Sequence, residues 1–162
     1  MNDLGKLYQD TIRRHAAQPV GHGEEIGATH RHELFNAQCG DRVEVKLRVA
    51  GVTIEAAAFD GEGCAICMAS ASLLCTHLPG ERADALGEQL RRFTGALDAA
   101  GAGSNAGSDE ETASGSGAGT DHEAACPPAL RPLLPVAAWP ARIACAILPW
   151  QTAVEALGDK VE

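Results

Sequence analysis

Strict alternation of apolar and charged residues runs from Val43 to Val49, V-E-V-K-L-R-V. Val43, Val45, Leu47 and Val49 face one way, and Glu44, Lys46 and Arg48 face the other, as in a half-buried strand. Ala50-Gly51 supplies a turn. Val52 to Phe59 then returns, with Val52, Ile54, Ala56 and Ala58 expected on the buried side. The pair predicts an antiparallel hairpin with one solvated face. Asp60-Gly61-Glu62-Gly63 reads as a tight turn after it.

Helical spacing appears elsewhere. Residues 3–16 place Leu4, Leu7, Tyr8 and Ile12 on one side and end in Arg13, Arg14 and His15, which suit a helix C-terminus. A helix rich in small residues is expected from about Cys64 to His77, stopped by Pro79-Gly80. Another, from about Glu81 to Ala99, aligns Leu86, Leu90, Phe93 and Leu97. Residues 17–38 hold one Pro, three Gly and three His, and read mostly as irregular. Ala129 to Ala137 is expected to form a short helix despite Pro132 and Pro135. Trp139 to Leu157 is expected to form one or two helical pieces, with Pro149 at a kink or in a first turn. Helix, hairpin and helices without a repeated βαβ unit make an α+β protein.

Composition changes this picture at one place. Residues 99–128 contain six Gly and five acidic residues, with no Lys, Arg or aromatic residue. They read as a flexible acidic Gly/Ser-rich insertion between an N-terminal part (1–98) and a C-terminal part (129–162) of one domain. The 162 residues are 45% apolar but only 4% aromatic, so the core must come mainly from Ala, Leu, Val and Ile.

The net charge of −9 and pI near 5.1 argue against nucleic acid as a partner. No apolar run reaches the ~20 residues needed to cross a bilayer. Met1 to Gln9 lacks the basic-then-apolar order of a secretory signal. The expected location is therefore cytoplasmic, where six cysteines are read as metal ligands or reactive thiols before disulfides.

Several of those cysteines sit in suggestive places. Cys39-Gly40-Asp41 immediately precedes the first clear strand, and Gly40 allows the turn that would aim both flanking side chains at one point. Cys64 opens a helix, where unpaired N–H groups and the helix dipole favour a thiolate. Cys145 lies beyond the insertion in A-R-I-A-C-A. Thiolate sulfur and carboxylate oxygen are both zinc ligands, but the spacing alone does not establish a shared site, since buried cysteines often act as small apolar residues. Cys75 reads as core and Cys126 as an incidental thiol at the insertion's edge. Cys67 forms C-A-I-C with Cys64, which superficially matches a redox pair, although helix packing suits it better because a hairpin precedes it. His77 reads as a charge placed at a helix end, and His122 as solvated. His15, His22, His30 and His32 read as ordinary residues before transient ligands.

Three segments carry a resemblance: F-N-A-Q-C-G-D-R-V-E-V, F-D-G-E-G-C-A-I-C-M-A-S-A-S and P-A-R-I-A-C-A-I-L-P-W. In this order they resemble the SufU branch of the IscU/NifU-like iron–sulfur assembly proteins. The resemblance implies a small antiparallel sheet covered on one side by helices. It implies Zn2+ held by Cys39, Asp41, Cys64 and Cys145. It makes Cys39 the acceptor of persulfide sulfur from a SufS-type, PLP-dependent cysteine desulfurase, with Arg142 in support. The chain would then be a sulfur carrier that stimulates the desulfurase, not a stand-alone enzyme, and would pass sulfur to a downstream SUF scaffold or iron–sulfur recipient. Ala144 stands where IscU-type scaffolds carry His before the third cysteine, and Cys67 stands where the family usually has Ser or another small residue. The alternatives are a scaffold for a transient [2Fe-2S] cluster or iron on Cys39, Cys64 and Cys145, a thiol redox protein using Cys64 and Cys67, and a purely structural zinc domain.

Overall fold

The computed structural model describes residues 3–105 and 124–158. Helix α1 (Asp3–Ala17) leads into strands β1 (His30–Asn36), β2 (Asp41–Ala50) and β3 (Thr53–Glu62). Helices α2 (Ala65–His77) and α3 (Leu86–Asn105) follow, then a 3-10 segment (Pro128–Ala138) and helix α4 (Pro140–Ala156). The strands form one antiparallel sheet in the order β1-β2-β3. Helices α2 and α4 cover one face of it. This is the α+β arrangement expected.

The expected hairpin is present, but β1 extends it on a side read as irregular. Its burial does alternate, with His30, His32, Leu34 and Asn36 half-buried and their neighbours exposed. Three of those four inward residues are polar, so the period of two carried no hydrophobic signal.

A second correction concerns the faces of β3. A register shift at Arg48/Val49 leaves Glu55 without an opposite number, because Arg48 pairs with Ala56 and Val49 with Ile54. One extra residue flips the alternation beyond it. Ala57 and Phe59 therefore join Leu47 and Val45 on the helix side, and Val52 is exposed.

The opposite face is not simply wet. Gly21 and Gly23 bond to Phe59 at the β3 edge. The chain then crosses this face, and Glu24 O accepts from Lys46 Nζ at 2.8 Å. With Asp60 Oδ2 also 2.8 Å from its ammonium, Lys46 is buried and paired.

Helix α2 is buried on nearly every side, which is why its pattern showed small residues in place of an amphipathic stripe. Ser70 Oγ donates to Ala146 O at 2.6 Å and accepts from Trp150 Nε1 at 2.9 Å, joining α2 to α4. Ser72 Oγ accepts from Val20 N at 2.8 Å and lies 2.6 Å from His15 Nδ1, joining α2 to α1 and its exit. The small residues let three helices approach one another, and the two hydroxyls fix their positions.

The core includes Trp150, Phe59 and Phe93 among its largest buried side chains, so the few aromatic residues contribute more than composition suggested. The helix expected from Glu81 begins at Leu86, after a 3-10 turn at Ala83–Ala85. Pro132 and Pro135 donate no N–H, and the segment around them is 3-10, not α. Helix α4 is a single element with Pro149 inside it. The flexible insertion read for 99–128 falls mainly outside the described residues. Where the two overlap, 99–105 are helical and Cys126 is fully buried in the core, not incidental. Among the described residues, no helix is long and apolar enough to cross a membrane.

Candidate metal and thiol site

The last residue of β1 and the first of β2 are paired, Asn36 with Asp41, so the intervening loop is tight. Gly40 adopts φ 73°, a left-handed value that costs glycine little, and its N–H bonds Asn36 O at 2.8 Å. This turn presents Cys39 on one side and starts β2 with Asp41. Cys64 is the residue before α2, with extended backbone angles (φ −69°, ψ 169°) and no side-chain capping bond. Cys145 lies in the second turn of α4 and is wholly buried, with Ala146 beside it held by Ser70.

These elements converge. The candidate ligand atoms of Cys39, Asp41 and Cys145 all lie within 4.8 Å of one another. Two sulfurs and one carboxylate oxygen are a donor set that zinc accepts, and this spacing lets them close on an ion at bonds of about 2.0–2.3 Å. Cys64 adjoins them without joining that cluster: its backbone N–H donates to Asp41 Oδ1 at 2.9 Å, and its thiol is near enough to raise the Cys145 pKa. The Cys39 thiol reaches Ala141 O at 3.8 Å, on the first turn of α4.

The electrostatics describe a crowded thiol site. Burial first, then hydrogen bonding with Asp41, Cys39 and Cys64, pushes the Cys145 thiol well above its ordinary range. Without a cation, such a cluster resists carrying several negative charges. Arg142 is exposed, and its pKa is raised chiefly by the charge of Cys64, then by hydrogen bonds to Cys64 and Cys145. Its guanidinium is a cation that faces the thiols.

Cys67 is fully buried on the first turn of α2. Its pKa is raised by burial first, then by Asp41, Cys64 and Cys39, so it stands against the same cluster. Gly63 makes the approach possible: a Cβ there would sit 2.6 Å from Asp41 Oδ1 and 3.1 Å from Cys67 Sγ.

Sequence reading did not single out Asn36. Its Nδ2 donates to Asp41 Oδ2 at 3.3 Å and to Cys145 Sγ at 3.7 Å. The signal was its place three residues before Cys39, visible only once β1 is known. The histidines stay apart. His15 meets Ser72, His22 stacks on Phe59 with centroids 4.9 Å apart, and His77 Nε2 lies 2.8 Å from Gln89 Oε1. Among the described residues no histidine joins the metal-ligand cluster, and His122 lies outside them. Cys75 is buried in the core, as expected.

The family model of the NifU-like N terminal domain matches residues 7–90, just over half the chain. The chain belongs to the NifU-like N-terminal domain family. Among curated relatives of this NifU-like chain is the zinc-dependent sulfurtransferase SufU of Bacillus subtilis, 34% identical over 79 residues. That match covers 49% of this chain and 53% of the relative. The iron–sulfur cluster assembly scaffold protein IscU of Thermotoga maritima is 28% identical over 151 residues, covering 93% of this chain and 92% of the relative. The chain thus spans about half the length of the first relative and nearly all of the second. A Brucella abortus NifU-like N-terminal structure shares the fold with a TM-score of 0.70 at 17% identity, covering 96% of this chain and 94% of that one. A Fervidobacterium islandicum structure, described as a candidate cluster assembly scaffold for the SUF system, gives 0.71 at 22%, covering 94% and 97%.

Proposed function

We propose that this NifU-like chain is a zinc-binding sulfur acceptor in iron–sulfur cluster assembly, working with a SufS-type cysteine desulfurase in the cytoplasm. The observation that carries the reading is the convergence of Cys39, Asp41 and Cys145 within 4.8 Å, with Cys64 against them. We assign zinc to these four residues and regard 1–98 and 129–162 as two parts of one domain interrupted by 99–128. Bound zinc would supply positive charge that keeps the thiols ionised and ordered.

The ligands have different supports. Cys64 and Cys145 begin or lie within packed helices, and we take them as anchors. Asp41 is held by Cys64 N–H and Asn36, so its oxygens are already shared, as suits an exchangeable ligand. Cys39 sits on a loop and is only half-buried. Its thiolate attacks the terminal sulfur of the desulfurase persulfide. A new S–S bond forms at Cys39 Sγ, the partner's S–S bond breaks, and the partner's cysteine leaves as thiolate. Arg142 faces the thiols and offsets their charge during the exchange. The sulfur then passes to a downstream SUF scaffold or iron–sulfur recipient.

A scaffold role is the second reading, favoured by the nearly full-length match to the Thermotoga maritima IscU. Ala144 weighs against it, since this side chain offers no ligand beside Cys145. The test is metal analysis of the purified chain with desulfurase turnover. One zinc per chain and faster turnover are expected, with zinc lost in the Cys64→Ser and Cys145→Ser variants. A stable, stoichiometric cluster chromophore after anaerobic reconstitution, with no stimulation of turnover, would replace this reading with the scaffold.

A further inference from the structure

Cys67 is a thiol that the proposed sulfur transfer leaves unused. It lies three residues after Cys64, and the two bracket the first turn of α2, closed by Met68 N–H to Cys64 O at 3.0 Å. Residues three apart on a helix share a face, with Cβ atoms about 5–6 Å apart. A disulfide needs Cβ atoms nearer 3.5–4.5 Å. The difference is small, and Cys64, although its N–H is held by Asp41 Oδ1, can supply it by turning its side chain. Cys64 is extended, not helical, and its side chain caps nothing.

Cys145 adjoins the Cys64 thiol as well, so Cys67 competes with it as the partner when no metal is bound. Gly63 leaves no side chain beside Cys67, whose Sγ lies 3.1 Å from where a Cβ would stand. Exposure divides the roles: Cys64 is partly exposed, whereas Cys67 is fully buried and meets only what its neighbours bring to it.

We propose that Cys64 and Cys67 form a second thiol site, a dithiol that hydrogen peroxide oxidises to a disulfide across the first turn of α2 when zinc is absent. The Cys64 sulfur attacks one peroxide oxygen, the O–O bond breaks, and Cys64 becomes a sulfenic acid with release of water. The Cys67 sulfur then attacks the Cys64 sulfur. An S–S bond forms, the S–O bond breaks, and hydroxide leaves as a second water with the Cys67 proton. Two thiols lose two electrons in total, and one hydrogen peroxide becomes two waters. The bridge stops Cys64 short of irreversible sulfinic acid, and a thiol reductant restores it. It also withdraws Cys64 from the proposed zinc ligands, so oxidation and metal loading exclude each other.

The test uses the full chain, stripped of metal with a chelator and treated with hydrogen peroxide. Remaining thiols are then alkylated and mapped by tandem mass spectrometry. The tryptic peptide 49–82 holds Cys64, Cys67 and Cys75. The expected product has lost two hydrogens, is bridged from Cys64 to Cys67 with Cys75 alkylated, and reverts with dithiothreitol. In Cys67→Ser the bridge is absent and Cys64 proceeds to sulfinic acid. One equivalent of zinc added beforehand slows bridging of the wild type at least tenfold. A wild-type product linking Cys64 to Cys39 or Cys145 overturns the proposal, as does Cys64 sulfinic acid with Cys67 still alkylated. Equal bridging rates with and without zinc overturn the mutual exclusion. The mapping involves no desulfurase, so its outcome stands apart from that of sulfur transfer.

Discussion

Ser70→Ala isolates the contact that holds the two helices of the site together. Ser70 is fully buried, donates to Ala146 O at 2.6 Å and accepts from Trp150 Nε1 at 2.9 Å. Helix α2 begins beside Cys64, and Cys145 adjoins Ala146 on α4, so the hydroxyl pins the frame in which both thiols sit. Alanine removes one neutral hydrogen bond, worth about 1 kcal/mol net. It also orphans the buried indole N–H at a cost of about 1–3 kcal/mol. The Ala146 carbonyl still lies in helix α4, so no second large penalty is added. The expected loss is about 2–4 kcal/mol, or roughly 4–16 °C in Tm for a chain of this size. Urea unfolding followed by circular dichroism measures it, and metal affinity of the same variant should fall with it. A variant within about 0.5 kcal/mol of wild type, the usual range for inconsequential surface changes, would refute the assigned role.

Two further outcomes follow from the same packing. Gly63→Ala places a Cβ 2.6 Å from Asp41 Oδ1 and 3.1 Å from Cys67. Displacing the carboxylate sacrifices its bond from Cys64 N–H, a charge-assisted bond worth about 1.5–3 kcal/mol, so a loss of at least tenfold in zinc affinity is expected by competition with a chelator. Unchanged affinity would contradict it. The His15 pKa is lowered from 6.5 by burial first and Arg14 second, while Ser72, already accepting from Val20 N–H, can donate to Nδ1. The neutral ring is the bound form, so its contribution is present above 6.5 and is lost as pH falls from there through the lower folded value. Urea midpoints should therefore fall more steeply below 6.5 in wild type than in His15→Gln, and equal slopes would contradict the assignment.

The sequence made some of this visible because the physics was local. V-E-V-K-L-R-V marked β2, Gly40 marked the loop that turns between Cys39 and Asp41, and Pro79-Gly80 marked the end of α2. What it hid depended on partners far along the chain. β1 turns His30, His32 and Asn36 inward, so its period of two had no apolar contrast. The face of β3 depended on one bulge at Glu55 that no residue type announced. Lys46 resembled a solvent-facing lysine until residues 20–27 folded over it. For the candidate site, the motifs that resemble the family named Cys39, Asp41, Cys64 and Cys145, of which Cys39, Asp41 and Cys145 form the cluster. Asn36 could not be named, because its two partners are five and 109 residues away and meet only across the β1–β2 pair and α4.

The central claim is that Cys39 takes the sulfur. Its tryptic peptide, residues 32–42, contains no other cysteine. The zinc-loaded chain should be incubated with a SufS-type desulfurase and cysteine, trapped by alkylation and mapped by mass spectrometry. One added sulfur atom on the 32–42 peptide is the predicted result, absent when the desulfurase is omitted. Added sulfur on Cys64, Cys67 or Cys145 with Cys39 unmodified, or no transfer at all, would contradict it.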